Sequence, residues 1–156
     1  MQKYILLLLL LVLLSKGKGK RKMDGLKNNN PGNIKYDGTK WQGMTGTAPV
    51  NDGTGGKYVV FSSMAYGVRA MAKNALTTQR TFPTFNAFFK HYASAKGWEN
   101  YAAFVAAACG VSPDSLINFP AMLPTFIAAQ INFENDHAVD KGLVSGVDIN
   151  NGINLA

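Results

Sequence analysis

Proton-transfer chemistry in this chain rests on few side chains: nine acidic residues of which only Glu99 and Glu134 are glutamates, two histidines (His91 and His137) and one cysteine, Cys109. Glu134 follows Ile131 and Ile127 by three and seven residues, a helical spacing that sets it on the same face as apolar neighbours. It also falls at the C-terminal end of that apolar stretch, where a helix dipole disfavours negative charge. Both effects push a carboxyl pKa upward, giving an acid able to stay protonated near neutral pH and to donate its proton to a leaving oxygen. A solvated helix-end glutamate is the alternative reading of the same position. Glu99, beside Trp98 at the start of its own helix, is explained by the exposed amides and dipole of a first turn.

Glycoside cleavage uses such an acid, ordinarily with a second carboxylate as base or nucleophile. Asp37, Asp52 and Asp136 are the candidates, but Asp37 and Asp52 each precede a glycine and so read as turn residues. Asp136, two positions after Glu134, faces another side of a helix unless the helix has already unwound. With no second carboxylate standing out, a mechanism needing only one is favoured, such as lytic transglycosylation, in which the sugar's own hydroxyl closes the ring. Cys109, flanked by alanine and glycine, reads as a small buried hydrophobe. Being alone, it excludes an intrachain disulfide, and neither histidine stands in a pairing motif with it. No metal or cofactor is expected.

Ligand-binding character is concentrated in residues 25–43, GLKNNNPGNIKYDGTKWQG, with four asparagines, a Pro-Gly pair and Trp41. Asparagine amides offer donors and acceptors together, Pro-Gly fixes a tight turn, and tryptophan gives a flat apolar plate. The stretch therefore reads as a preorganised loop for a polar, ring-shaped ligand, or else as a loop whose asparagines satisfy their own backbone. It holds no proton donor of its own, so an active site built on it needs Glu134, about a hundred residues later.

The elements that must bring the two together are legible from periodicity. Strand signals lie at 34–36 and 57–61, with the Asp37-Gly38 turn dipeptide between them and a Gly/Asp/Thr-rich loop over 45–56. From Ser62 the period becomes helical, with Met64, Val68, Met71, Ala72, Ala75 and Leu76 in steps of three and four. Thr84 caps a second helix carrying Phe85, Phe88, Phe89 and Tyr92, and a third spans about 98–109 with Gly110 as terminator. After Pro120 and Pro124, residues 125–133 are apolar nearly all round, which predicts a helix buried mid-domain. Residues 139–156 read as a loop-rich tail. The expected class is α+β, mainly α: a small antiparallel sheet with about four helices.

In 156 residues there is room for one domain, predicted to span 24–156. Six of the sixteen basic residues lie within the first 22, which carry no acid, leaving ten against nine acids beyond. The formal +7 is thus a property of the N-terminus, and the near-neutral remainder argues against a nucleic-acid-binding face. Residues 4–14 form an uninterrupted apolar run, about 17 Å long as a helix against a hydrocarbon core of about 30 Å. No small-x-small cleavage site follows it, and a basic block at 16–22 does. Residues 1–15 are therefore expected to be a short retained membrane anchor and 16–23 a flexible basic Gly/Lys linker, able to touch lipid phosphates or nucleic acid. The basic block favours holding the domain on the cytoplasmic side. A cleaved secretion signal is the alternative.

Lys27-Asn-Asn-Asn-Pro-Gly-Asn-Ile-Lys35, Trp41-Gln-Gly43, Phe61 and Gly67-Val-Arg69-Ala70 together resemble a family of phage and prophage virion structural proteins. The likeness covers residues 26–76 closely and most of 25–137 more loosely. Asn29-Asn30-Pro-Gly-Asn-Ile-Lys35 with Trp41-Gln-Gly43 is also similar to part of the lysozyme-like bacterial N-acetylglucosaminidases, whose catalytic helix reads roughly Ala-Gln-x-x-x-Glu-Ser-Gly. Ala129-Gln130-Ile-Asn-Phe-Glu134 matches that helix, but at the other end of the chain, as in a circular permutation. Asn135-Asp136 stands where the family has Ser-Gly. The second resemblance implies a lysozyme-like fold in which Glu134 is the acid and Asn30, Asn33, Tyr36, Trp41 and Tyr58 line a sugar cleft. Together the two imply a membrane-associated virion protein that cleaves peptidoglycan glycan strands as a lytic transglycosylase or muramidase. The alternative implied is a non-enzymatic virion protein that binds glycan, membrane or neighbouring virion proteins.

Overall fold

The computed structural model describes residues 24–50, 55–93 and 97–156; the expected anchor (1–15), the basic linker (16–23) and Asp52 lie outside them. Among the described residues the chain is α+β and mainly helical, with six helices and one two-stranded antiparallel sheet. These are α1 (Asp24–Lys27), β1 (Met44–Pro49), β2 (Lys57–Phe61), α2 (Met64–Thr81), α3 (Phe85–Ala93), α4 (Trp98–Ala108), α5 (Leu123–Glu134) and α6 (Gly146–Asn154). None of these helices is long and apolar enough to cross a membrane.

Helix α5 is the centre of the packing, as its largely apolar sequence predicts. Phe126, Ile127 and Ile131 are fully buried, and Pro124 begins the helix where its missing N–H costs nothing. Against α5 pack Phe85, Phe88 and Phe89 of α3 and Tyr101, Ala102, Val105 and Ala106 of α4. Phe88 meets Phe126 edge-on at 5.1 Å and Phe89 stacks on it at 5.6 Å, geometries that suit the aromatic quadrupole. Thr84 caps α3 through its hydroxyl, which accepts from Ala87 N at 3.2 Å. Ser63 stands at the N-cap of α2, but its side chain makes no capping bond.

Three elements depart from the expectation. Met44–Pro49 is a strand, pairing with β2 in the register Gly46↔Val60 to Pro49↔Lys57, where a loop is expected from 45 onward. Its glycine and threonines look like turn residues, but the partner strand supplies the hydrogen bonds, and tertiary pairing overrides weak local preference. The expected strand at 34–36 shrinks to one bridge, Lys35↔Tyr58, although Val59 N and Tyr36 N donate to Ile34 O and Lys57 O at 3.0 and 2.8 Å. The expected C-terminal tail contains a helix, α6, started by a capping box in which Ser145 and Asp148 each bond the other's backbone N–H. Asparagines and a glycine hide this helix from a propensity reading, and its burial of Ile149 and Gly152 is what holds it.

Candidate active site

The asparagine loop is fixed to three elements at once. Asn30 is fully buried, and its amide is spent on backbone: Nδ2 donates to Ile34 O and Val59 O, both at 2.9 Å, while Oδ1 accepts from Ile34 N at 2.9 Å. Asn29 Nδ2 donates to Phe61 O at 3.0 Å, and Phe61 N to Asn28 O at 2.9 Å. These bonds bolt the loop to β2. Asn135, the buried residue that ends α5, donates through Nδ2 to Pro31 O at 2.6 Å, and Tyr92 of α3 donates to Gly32 O at 3.3 Å. Asn29 and Asn33 adopt left-handed backbone, φ 51° and 50°, a conformation asparagine tolerates better than other side-chain-bearing residues.

That conformation aims Asn33 at Glu134. Its Nδ2 donates to Glu134 Oε2 at 3.0 Å, across 101 residues of chain. The loop and the end of α5 therefore form one site, as the sequence requires for any chemistry by the loop.

The two meet in an open cleft of about 640 Å³ lined by Asn33, Lys35, Asp37, Trp41 and Tyr58 on the loop and sheet side. Tyr92, Trp98, Asn100, Tyr101, Phe133 and Glu134 line the helical side, with Asn74 of α2. Aromatic rings on both walls and a few polar groups between them are what a sugar chain needs: flat apolar faces for ring C–H groups, and amides and carboxyls for hydroxyls.

Of the residues expected in a sugar cleft, Asn33, Trp41 and Tyr58 line it with Glu134; Asn30 and Tyr36 do not. Asn30 has no exposed surface and no unspent hydrogen-bonding group pointing outward, so its role is to shape the loop. Tyr36 is 38% exposed and is not among the residues that line the cleft. Asp37 combines both readings of it: its Oδ1 accepts from Thr39 N at 3.0 Å as a turn residue, yet it lines the cleft. The Thr39 backbone and side-chain hydrogen bonds hold its carboxyl below the usual range. Asp136 lies past the end of α5 with left-handed backbone, its Oδ2 accepting from Lys141 Nζ at 2.7 Å.

Among the aromatic residues of the cleft, four escape the sequence as site residues: Tyr92, Trp98, Tyr101 and Phe133. Their helical spacing marks them as core, and only the meeting of α3, α4 and α5 turns one edge of that core into a wall. Tyr101 is 3% exposed, and Phe133 stacks on it at 3.9 Å. Burial, and next the charge of Glu134, raise the Tyr92 and Tyr101 phenols well above the ordinary tyrosine range. Trp41 Nε1 is buried without a hydrogen-bond partner among the described residues.

No protein-family model and no curated protein matches this chain.

Proposed function

We propose that residues 24–156 form a lysozyme-like domain that cleaves the glycan strands of peptidoglycan, with Glu134 as its single acid catalyst. The observation that carries this reading is the Asn33–Glu134 hydrogen bond at 3.0 Å inside an aromatic-walled cleft. It joins the two segments whose sequences resemble parts of a glycosidase site. Glu134 gives its proton to the glycosidic oxygen as the C–O bond breaks, and the sugar departs from its anomeric carbon. The resulting carboxylate then takes the proton of the sugar's own hydroxyl as that oxygen closes on the anomeric carbon, restoring the acid and leaving an anhydro end. In the muramidase variant water attacks instead, and Asp37 on the cleft wall is the carboxylate available to activate it.

The virion setting is part of the same proposal. It is supported by the motif shared with phage and prophage virion proteins and by the apolar run at 4–14 followed by the basic block. Such an anchor would hold the domain at the host inner membrane, next to the wall it acts on.

The test is digestion of cell-wall sacculi by the full-length protein in mild detergent, with mass analysis of the released muropeptides. Release is expected for the wild type, with a loss of about 100-fold or more in Glu134→Gln, since a positioned acid supplies 10²–10⁴ in rate. Anhydro ends with activity largely kept in Asp37→Asn indicate the one-acid route. No release, or equal release by Glu134→Gln, sinks the enzymatic reading. Binding without release would favour the second reading, a glycan-binding virion protein.

A further inference from the structure

The hydroxyl of Tyr101 is a buried group without an evident purpose. Its ring is clamped by Phe133 at 3.9 Å and 14° on one hand and by Phe89 at 4.3 Å and 29° on the other. The clamp decides where the hydroxyl points. The oxygen has no exposed surface and no hydrogen-bond partner among the described residues; Glu134 follows the Phe133 that stacks on the ring and lines the same cleft, and the side chains that act on the hydroxyl are Glu134, Tyr92 and Gln130. A phenol stripped of water and given nothing in return is costly. Its shielded oxygen is out of a substrate's reach, so its partner is a protein group, and with the Tyr92 hydroxyl committed to Gly32 O Glu134 and Gln130 remain. Gln130 sits one turn before Glu134 on the same helix and is 2% exposed.

We propose that Tyr101 is a positioning residue for Glu134: its hydroxyl donates to the Glu134 carboxyl, beside the Asn33 amide on Oε2, and steadies the carboxylate left after proton donation. Catalytic hydrogen bonds are often long or poorly aligned before substrate binds and tighten in the complex, so the bond is expected to form fully only with substrate in the cleft. The mechanistic half of the statement rests on the proposed glycan cleavage, whereas the contact itself does not. A donor to the charged form lowers a carboxyl pKa, so Asn33 and Tyr101 together make Glu134 a stronger acid as it releases its proton.

Other ionisable groups face the same carboxyl. Tyr92 approaches from α3 with its hydroxyl committed to Gly32 O, Lys35, Asp37 and Tyr58 line the opposite wall, and Asp136, paired with Lys141, lies beyond the helix end. Tyr101→Phe replaces none of these groups and keeps the ring stack.

The experiment is a carbon-detected NMR titration of the full-length protein carrying labelled glutamate. With only two glutamates in the chain, Glu134→Gln assigns the resonance. In Tyr101→Phe the Glu134 midpoint is expected to rise by about one pH unit, the size of one charge-assisted hydrogen bond, while Glu99 stays put and Tyr92→Phe moves Glu134 less. In sacculus digestion the same variant is expected to lower kcat about ten-fold with little change in KM. An unmoved Glu134 midpoint, or equal shifts in Tyr101→Phe and Tyr92→Phe, overturns the proposal. Should Tyr101→Phe not fold, the wild-type Tyr101 ring resonance decides: it must follow the Glu134 titration, and its indifference overturns the contact. If the midpoint moves but the wild type releases no muropeptide, the contact stands and glycan cleavage falls.

Discussion

Asn30 spends its amide on the backbone of Ile34 and Val59, whereas Asn33, three residues on, aims the same chemical group at Glu134. One residue type in one loop thus serves folding at one position and the site at the other, and substitution separates the two. Asn30→Ala strands the buried Ile34 N–H and takes a donor from Val59 O and from Ile34 O, the latter keeping Val59 N; a stranded buried group costs roughly 1–3 kcal/mol before relaxation. A net loss of about 3 kcal/mol is expected in urea unfolding followed by circular dichroism, with an activity loss no larger than the unfolded fraction explains. Asn33→Ala is expected to do the reverse: under about 1 kcal/mol of stability, but about ten-fold in sacculus digestion. Similar losses of stability in the two variants would mean that Asn33 is also a loop fastener and that its contact with Glu134 is incidental.

The helix that the loop crosses must let it pass. Gly67 lies in the first turn of α2 where the backbone of Asn29 and the ring of Pro31 press against it; a Cβ there would overlap Asn29 O and stand 2.7 Å from Pro31 Cδ. Backbone and proline cannot swing aside as a flexible side chain can. Gly67→Ala is therefore expected to cost about 3 kcal/mol in urea unfolding, the upper end of overpacking penalties, and to blunt the Asn33–Glu134 contact by lifting the loop. A stability within about 0.5 kcal/mol of wild type would show that the crossing is looser than this. The same crossing marks what the sequence could and could not convey. Helices α2 to α5 were readable because each buries an apolar stripe of its own, and the link between loop and Glu134 was readable because each half lacks what the other has. Asn30 and Asn33 could not be told apart, since the difference is the left-handed turn at Asn33 and not its residue type. Strand β1 and helix α6 were hidden because their residues are poor formers held by partner elements: the following strand β2 for one, and for the other the distant Val68 side of α2, against which Gly152 packs. The tyrosine wall was legible as core and illegible as site, because a cleft edge is a property of three helices together.

At the scale of the whole molecule, the same burial that builds the wall sets how stability responds to pH. Tyr92 and Tyr101 have folded-state pKa values above their unfolded value, through burial first and the Glu134 charge second. A raised pKa contributes stability that is fully present below the unfolded value, about 10 for tyrosine, and is lost as pH rises towards the folded one. On the acid side the shifts have the opposite sign. Asp37 and Asp140 are held below their ordinary value by hydrogen bonds, from Thr39 for Asp37, and from His137 and Asn132 for Asp140. Their contribution is present above about pH 4 and lost as pH falls, and both are too exposed for it to be large. The urea midpoint is therefore expected to be flat between about pH 5 and 9.5 and to fall steeply only above about pH 10. In Tyr92→Phe/Tyr101→Phe that alkaline fall should be clearly shallower, because neither phenol then remains to ionise on unfolding. An equally steep fall in the double variant would mean that the drop belongs to lysine deprotonation or to the other tyrosines, and that the wall behind Glu134 is wetter than its packing indicates.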